Sequence, residues 1–242
     1  MLVVDDKTMV LGGVAILLAL LSPIVNALIL KLKVGKSDID GSSLPVNDVS
    51  LPGISVVMTV DDEGEDLKKN LPQWLDQSYG GKYQVIVVVS GNDPQVESIL
   101  KRYSGSPSLY TTFIPSSSRY MSRKKLAVTI GVKAARYDWV LLTDVDCYPE
   151  KATFLDSISR RSISGDCQMV LGYSNFSSDA PSARLFDNTY SLYRQLALSQ
   201  RGRTAGYSGK VVLFRKSMFI EGKGYDLSLI HISEPTRLDV IS

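Results

Sequence analysis

Histidine is almost missing from this chain: 242 residues contain one, His231. There are two cysteines, Cys147 and Cys167. A tetrahedral zinc site needs four clustered nitrogen, sulfur or carboxylate ligands, and one histidine with two scattered cysteines does not supply them. Two cysteines are also too few for a disulfide scaffold, and they fit a reducing compartment. An excess of either charge is lacking too. Twenty-seven basic residues stand against 25 acidic ones, a net charge of +2. So even a balance gives no electrostatic footprint for nucleic acid as a partner. No internal repeat and no low-complexity tract occur. The length suits one sizeable domain with an appendage.

One uncharged apolar run is present. Residues 9–30 read MVLGGVAILLALLSPIVNALIL, and about 20 such residues cross a bilayer as a helix. The run therefore predicts a transmembrane helix, kinked where Ser22, Pro23 and Asn26 weaken it. A cleaved signal peptide competes with this reading, but it wants a basic n-region and a small-residue cleavage site. Asp5, Asp6 and Lys7 precede the run instead, and no A-x-A follows. A buried core helix is the third alternative. Lys31, Lys33 and Lys36 come next, and the positive-inside rule then puts the C-terminal side in the cytoplasm. Residues 1–8 become an extracytoplasmic stub and 31–51 a polar Gly/Ser/Pro-containing linker.

From residue 54 strands and helices alternate. Strands are predicted at 54–60 (ISVVMTV), 83–89 (YQVIVVV), 109–114 (LYTTFI) and 139–144 (WVLLTD). Helices are predicted at 63–79, 95–103 and 124–135, the first from Leu67, Leu71, Trp74 and Leu75 at three-to-four spacing. Strands apolar on both faces belong in a sheet covered on both sides. The fold class is α/β: a mostly parallel, Rossmann-like sheet with helices on both faces, preceded by the transmembrane helix. In such sheets ligands gather at the C-terminal strand ends. Thr59–Glu63, Ser90–Asp93 and the pair Asp144 and Asp146 all stand there.

That pair closes WVLLTDVDCYPE, residues 139–150. Burying either carboxylate unpaired is expensive, so the strand end needs something to hold. A hard divalent cation, Mg²⁺ or Mn²⁺, suits two carboxylates and can in turn hold a diphosphate. Turn or cap carboxylates are the plain alternative.

The stretches ISVVMTVDDEGEDLKKNLPQWLDQSY, YQVIVVVSGND, SRKKLAVTIGVKAARYDWVLLTDVDC and GYSGKVVLFRKSMFIEGKGYD extend the match beyond two aspartates. In order and spacing, residues 52–226 resemble a family-2 glycosyltransferase of the membrane-anchored bacterial sort. The resemblance implies a GT-A fold and inverting transfer of a sugar from a nucleotide donor, usually a UDP-sugar, to a cell-envelope glycan or lipid-linked acceptor. It implies Mg²⁺ or Mn²⁺ on Asp146, helped by Asp144, which would also contact the donor sugar or ribose. Thr59 and Glu63 would lie beside the base, and Lys124 or Lys125 near the nucleotide. For the lysines, a solvated helix start is the alternative. The implied location is the bacterial inner membrane, single-pass, with the catalytic domain in the cytoplasm.

Two positions depart from the family pattern. Ser90 stands where an aspartate usually meets the base, with Asp93 three residues on. Lys210-Val211-Val212 replaces a basic-Asn-Leu step. Both leave room for a sugar-nucleotide-binding membrane protein without catalysis. A HAD-type phosphatase also uses D-x-D, but it wants Thr or Val where Tyr148 stands and carries the motif on its first strand. Cys147 lacks a histidine to activate it and reads as a small packing residue. Trp74 and Trp139 read as core. Residues 184–203 predict an amphipathic helix.

After Asp226 the match stops. Residues 227–237, LSLIHISEPTR, match the translation of a transposon-end sequencing adapter, so 227–242 is read as adapter-derived and His231 is given no role. The family's general base is an acidic residue expected beyond Asp226, and the catalytic residue is therefore not assigned.

Overall fold

A computed structural model of the chain describes residues 5–21, 50–114, 122–163, 167–177, 179–199 and 210–222. In chain order the elements are α1 (Asp6–Leu21), β1 (Ile54–Val60), α2 (Gly64–Leu75), β2 (Tyr83–Val89), α3 (Pro94–Arg102), β3 (Leu109–Phe113), α4 (Arg123–Ala134), β4 (Trp139–Asp144), α5 (Phe154–Ile163), β5 (Met169–Leu171), α6 (Ser182–Ser199), β6 (Val212–Arg215) and α7 (Lys216–Glu221). The chain divides into two compact units, residues 1–39 with 175–208 and residues 40–174 with 209–242.

The first unit carries α1 and α6. The expected helix at 184–203 is seen as α6, where Phe186 and Tyr190 stack with ring centroids 6.1 Å apart. Helix α1 corrects the reading of 9–30. It has 16 residues, about 24 Å at the rise of a helix, against a hydrocarbon core of about 30 Å. Its first turn also holds the charges of Asp6 and Lys7. Among the described residues no helix is long and apolar enough to cross a membrane. This overturns the transmembrane helix, the membrane-anchored character and membrane partner, and the single-pass inner-membrane location. Residues 22–30, most of the linker and the tail 227–242 lie outside the described residues.

The second unit is built on a six-stranded sheet of order β3-β2-β1-β4-β6-β5. β3, β2, β1 and β4 pair in parallel. β6 runs antiparallel to both β4 and β5, so the sheet is mixed. Alternation along the strands divides the core in two. Val56, Met58, Val85, Val87 and Leu141 face one side with Leu67, Leu71 and Trp74 of α2, Ile99 of α3 and Leu155 of α5. Val57, Ile86, Val88 and Val140 face the other with Ala127, Val128 and Val132 of α4. Helices therefore cover both faces, as the doubly apolar strands predict.

Helix starts follow local chemistry. Asp93 caps α3, accepting from the Gln95 N–H at 2.8 Å, with Pro94 at the first helical position and Lys101 and Arg102 in the last turn. α2 ends at Leu75, short of the expected 79. Gln77 then ties the neighbouring segments together. Its amide donates to the Gln73 and Lys151 carbonyls and accepts from the Leu155 N–H at 3.2 Å.

The chain runs outward from β1 to β2 to β3, then crosses to β4 on the other side of β1. The reversal between β1 and β4 is the topological switch point, where open α/β sheets bind ligands. The parallel register there sets Thr59 directly beside Asp144.

Candidate active site

A cleft of about 310 Å³ opens above the switch point, within the usual range for a small-molecule pocket. Thr59 to Asp61, Glu63 and Asp66 line one part of it, Ser90 another, Arg123 and Lys124 a third, and Asp144 to Asp146 the last. The loops after β1 and β2 nearly touch. A Cβ at Gly91 would stand 2.5 Å from the Asp61 carbonyl oxygen, so only glycine allows this approach.

Each aspartate of the pair meets a lysine. Lys124 Nζ lies 2.9 Å from Asp144 Oδ1, and the Lys210 ammonium is bonded to Asp146 Oδ2. The two lysines arrive by different routes. Arg123 and Lys124 open α4, at the positive end of its dipole, where cations are disfavoured. Lys210 is delivered by strand direction: β6 runs against β4, so its start lies at the end of β4. Partial burial opposes the Asp146 charge. The Lys210 ammonium outweighs it, through hydrogen bond and charge, and with the Cys147 thiol holds the carboxyl below its usual pKa. Burial likewise opposes the Lys210 charge, and Asp146 outweighs it, raising the lysine pKa. The Cys147 thiol is pushed up to about 12, by burial first and then by the Asp146 charge. It is therefore a protonated packing group and not a nucleophile.

The loop carrying the pair is held from behind. The Cys147 N–H donates to the Asp144 carbonyl at 3.1 Å, closing a turn. Asn70 Nδ2 donates to the Val145 carbonyl at 2.8 Å, and Trp74 Nε1 to the Cys147 carbonyl at 3.0 Å. Asn70 and Trp74 stand one helical turn apart on α2, so one buried helix face grips the backbone on both sides of Asp146.

The structure brings Thr59, Glu63, Ser90, Lys124, Asp144 and Asp146 together around one cleft, and Lys125 does not border it. Glu63 accepts from the Asp61 N–H at 2.7 Å. Asp93, weighed as a replacement for the missing aspartate at 90, is engaged as the α3 cap. The carboxylate beside Ser90 comes instead from Asp61, whose Oδ1 lies 3.0 Å from Ser90 Oγ. Sequence reasoning held Asp61 only as part of the Thr59–Glu63 loop, without a role of its own, and missed Arg123, Asn70 and the partnership of Lys210. Asp61 was visible as an acid just past a strand end. Lys210 pairs across 64 residues, and no local pattern announces that.

As a metal centre the donor set is two carboxylates. Among the described residues no three His, Cys, Asp or Glu side chains form a group able to hold an ion. Mg²⁺ and Mn²⁺ are commonly held by one or two carboxylates completed by waters and substrate phosphates. Asp144 and Asp146 fit an ion of that kind and not a cage made of protein alone.

A Rossmann-like half-sheet closed by an antiparallel strand, with an acid pair at the end of β4, defines a GT-A-like glycosyltransferase fold. The chain belongs to glycosyl transferase family 2, whose family model matches residues 55–222, and it is accordingly a glycosyltransferase-like enzyme by class. No curated protein matches it. Among solved structures, a mannosyltransferase from Pyrobaculum calidifontis, PcManGT in complex with GDP-Man and Mn²⁺, is similar over 87% of this chain and 57% of its own, at 16% identity and a TM-score of 0.59. S. aureus TarS 1-349 in complex with UDP-GlcNAc is similar over 71% of this chain and 47% of its own, at 15% identity and a TM-score of 0.51. The chain thus spans about half the length of these structures, and likeness at that identity is a likeness of fold.

Proposed function

We propose that the cleft binds a nucleoside diphosphate sugar, read as a UDP-sugar, and that the protein of which this chain is part transfers the sugar with inversion to a hydroxyl of a glycan acceptor. One observation carries the reading: two aspartates and two cations, Lys124 and Lys210, meet at the switch point beside Thr59 and Ser90. Asp146 and Asp144 would hold Mg²⁺ or Mn²⁺, which supplies charge stabilisation to the departing diphosphate. Arg123 and Lys124 would lie against the same phosphates as charge-assisted donors. Thr59, Glu63 and Ser90 would border the base or ribose, with Asp61 providing the carboxylate that Ser90 lacks. The general base, expected beyond Asp226, lies outside the described residues.

The test is calorimetric titration of UDP with and without Mn²⁺, on the chain and on Asp146→Ala. Loss of Mn²⁺-dependent UDP binding by about tenfold or more is expected, since a charge-assisted contact is removed. Unchanged binding sinks the assignment. A donor-binding protein without catalysis is the second reading, favoured by the serine at position 90. UDP released from a UDP-sugar counts against it.

A further inference from the structure

The pairing of Lys210 with Asp146 invites a role of its own. Both side chains are partly exposed, 43% and 45%, and ion pairs so exposed add little to stability. The stem of the lysine is nonetheless well placed. Val211 beside it is buried, and its carbonyl accepts from the Gly172 N–H at 2.9 Å. Carrying the β4–β6 register past Leu142 and Val212 sets residue 210 opposite Asp144. The backbone is anchored, while the four-carbon side chain and its ammonium can swing.

Charge decides what this arrangement favours. Asp144 and Asp146 are each paired with one ammonium, of Lys124 and Lys210, in a cleft also lined by Asp61, Glu63, Asp66 and Arg123. A bare divalent cation that reaches Asp146 must displace the Lys210 ammonium and leaves that ammonium without its partner. A cation arriving with a diphosphate brings the anion that a displaced ammonium needs.

We propose that Lys210 is an exchangeable counter-ion. It neutralises Asp146 while no donor is bound, yields that carboxylate to the divalent cation, and carries its ammonium to a diphosphate oxygen. The site thereby discriminates against the metal alone and in favour of metal and diphosphate together. This rests on the donor-binding reading given above.

The test uses Mn²⁺ alone, followed by electron paramagnetic resonance of the free ion, and then UDP titrated calorimetrically at fixed Mn²⁺. Lys210→Met is expected to bind Mn²⁺ alone about threefold or more tightly than the parent chain, because its competitor is gone. It is expected to bind UDP with Mn²⁺ about tenfold less tightly, because a phosphate contact is gone. Lys210→Arg, which keeps the charge, should stay near the parent in both. A thermal melt identifies any variant that has not folded. If Lys210→Met matches the parent in both titrations while the parent binds Mn²⁺ and UDP, the counter-ion role fails and the donor site stands. If Lys210→Arg behaves as Lys210→Met does, charge is not what acts and the role fails equally. A parent chain that binds neither ligand overturns the donor reading itself.

Discussion

Cys147 shows how closely single residues around the aspartate pair constrain one another. Its thiol lies 3.4 Å from Asp146 Oδ1 and next to a loop carbonyl held by Trp74. Burial and the neighbouring carboxylate push its pKa up to about 12. Thiolate is the reactive form, so below pH 9 nearly all of Cys147 is unreactive. In a Cys167→Ser background, alkylation by iodoacetamide at pH 8 should run about a thousandfold slower than for an unperturbed thiol near 8.5. It should recover in urea, where the carboxylate and the burial are lost. Fast alkylation of the folded chain would show that burial and Asp146 together do not hold the thiol protonated. The sequence reading of Cys147 as a packing residue came from the lack of a histidine partner. The structure adds the physical causes, burial first and then an adjacent negative charge that resists a second one.

Among the elements, α2 does most to hold the site. Its apolar stripe packs Leu67, Leu71 and Trp74 into the core, and the same face reaches the loop after β4 through Asn70 and Trp74. Asn70 Oδ1 is buried with no hydrogen-bond partner among the described residues, a local cost of the kind proteins tolerate where a site needs it. Asn70→Leu removes the grip on Val145 and leaves that carbonyl without its amide donor, which costs about 1–3 kcal/mol, offset in part because the unpaired Oδ1 goes with it. Trp74→Phe keeps an aromatic side chain but loses the bond to Cys147 and part of the buried indole, which leaves a small cavity. Both variants should melt lower, and both should bind Mn²⁺–UDP more weakly because Asp146 loses its fixed backbone. A lowered melting temperature with unchanged Mn²⁺–UDP affinity would mean that these bonds serve stability alone. The stripe on α2 was legible from spacing, and so were the four apolar strands from Ile54 to Asp144. The polar reach of Asn70 was not: its place three residues after Leu67 puts it on the buried stripe, but spacing does not say what a buried amide bonds. The direction of β6 was not legible either. Four residues, VLFR, form a strand equally well in either sense, and only the pairing with β4 settles it. The run at 9–30 misled because its apolar length alone was read as a span, whereas the described helix, Asp6–Leu21, has 16 residues and two charges in its first turn.

At the scale of the sheet-bearing unit, two helical layers must close on one sheet for the cleft to have its cationic wall. α4 forms the layer on the second face, and it presents Arg123 and Lys124 at its start. The strands apolar on both faces announced that both faces are covered, yet the closeness of α4 to β1 is set by Gly131. A Cβ built there would stand 2.4 Å from Val57 Cγ1 and 3.1 Å from Val88 Cγ2. Those atoms belong to the buried core and have little room to retreat. Gly131→Ala therefore forces α4 away from the sheet. Overpacking of this kind costs about 1–3 kcal/mol, offset in part by the better helix propensity of alanine, and a loss of that size lowers the melting temperature by roughly 2–10 °C in a unit of this length. Because α4 carries Lys124, the displacement should also weaken Mn²⁺–UDP binding, although residue 131 touches no ligand. Val57→Ala removes the methyl groups that the new Cβ meets. Combined with Gly131→Ala it should restore part of both the melting temperature and the affinity, a double variant better than the sum of its parts. Strict additivity in both readouts would show that the spacing of α4 from β1 does not set the position of Lys124.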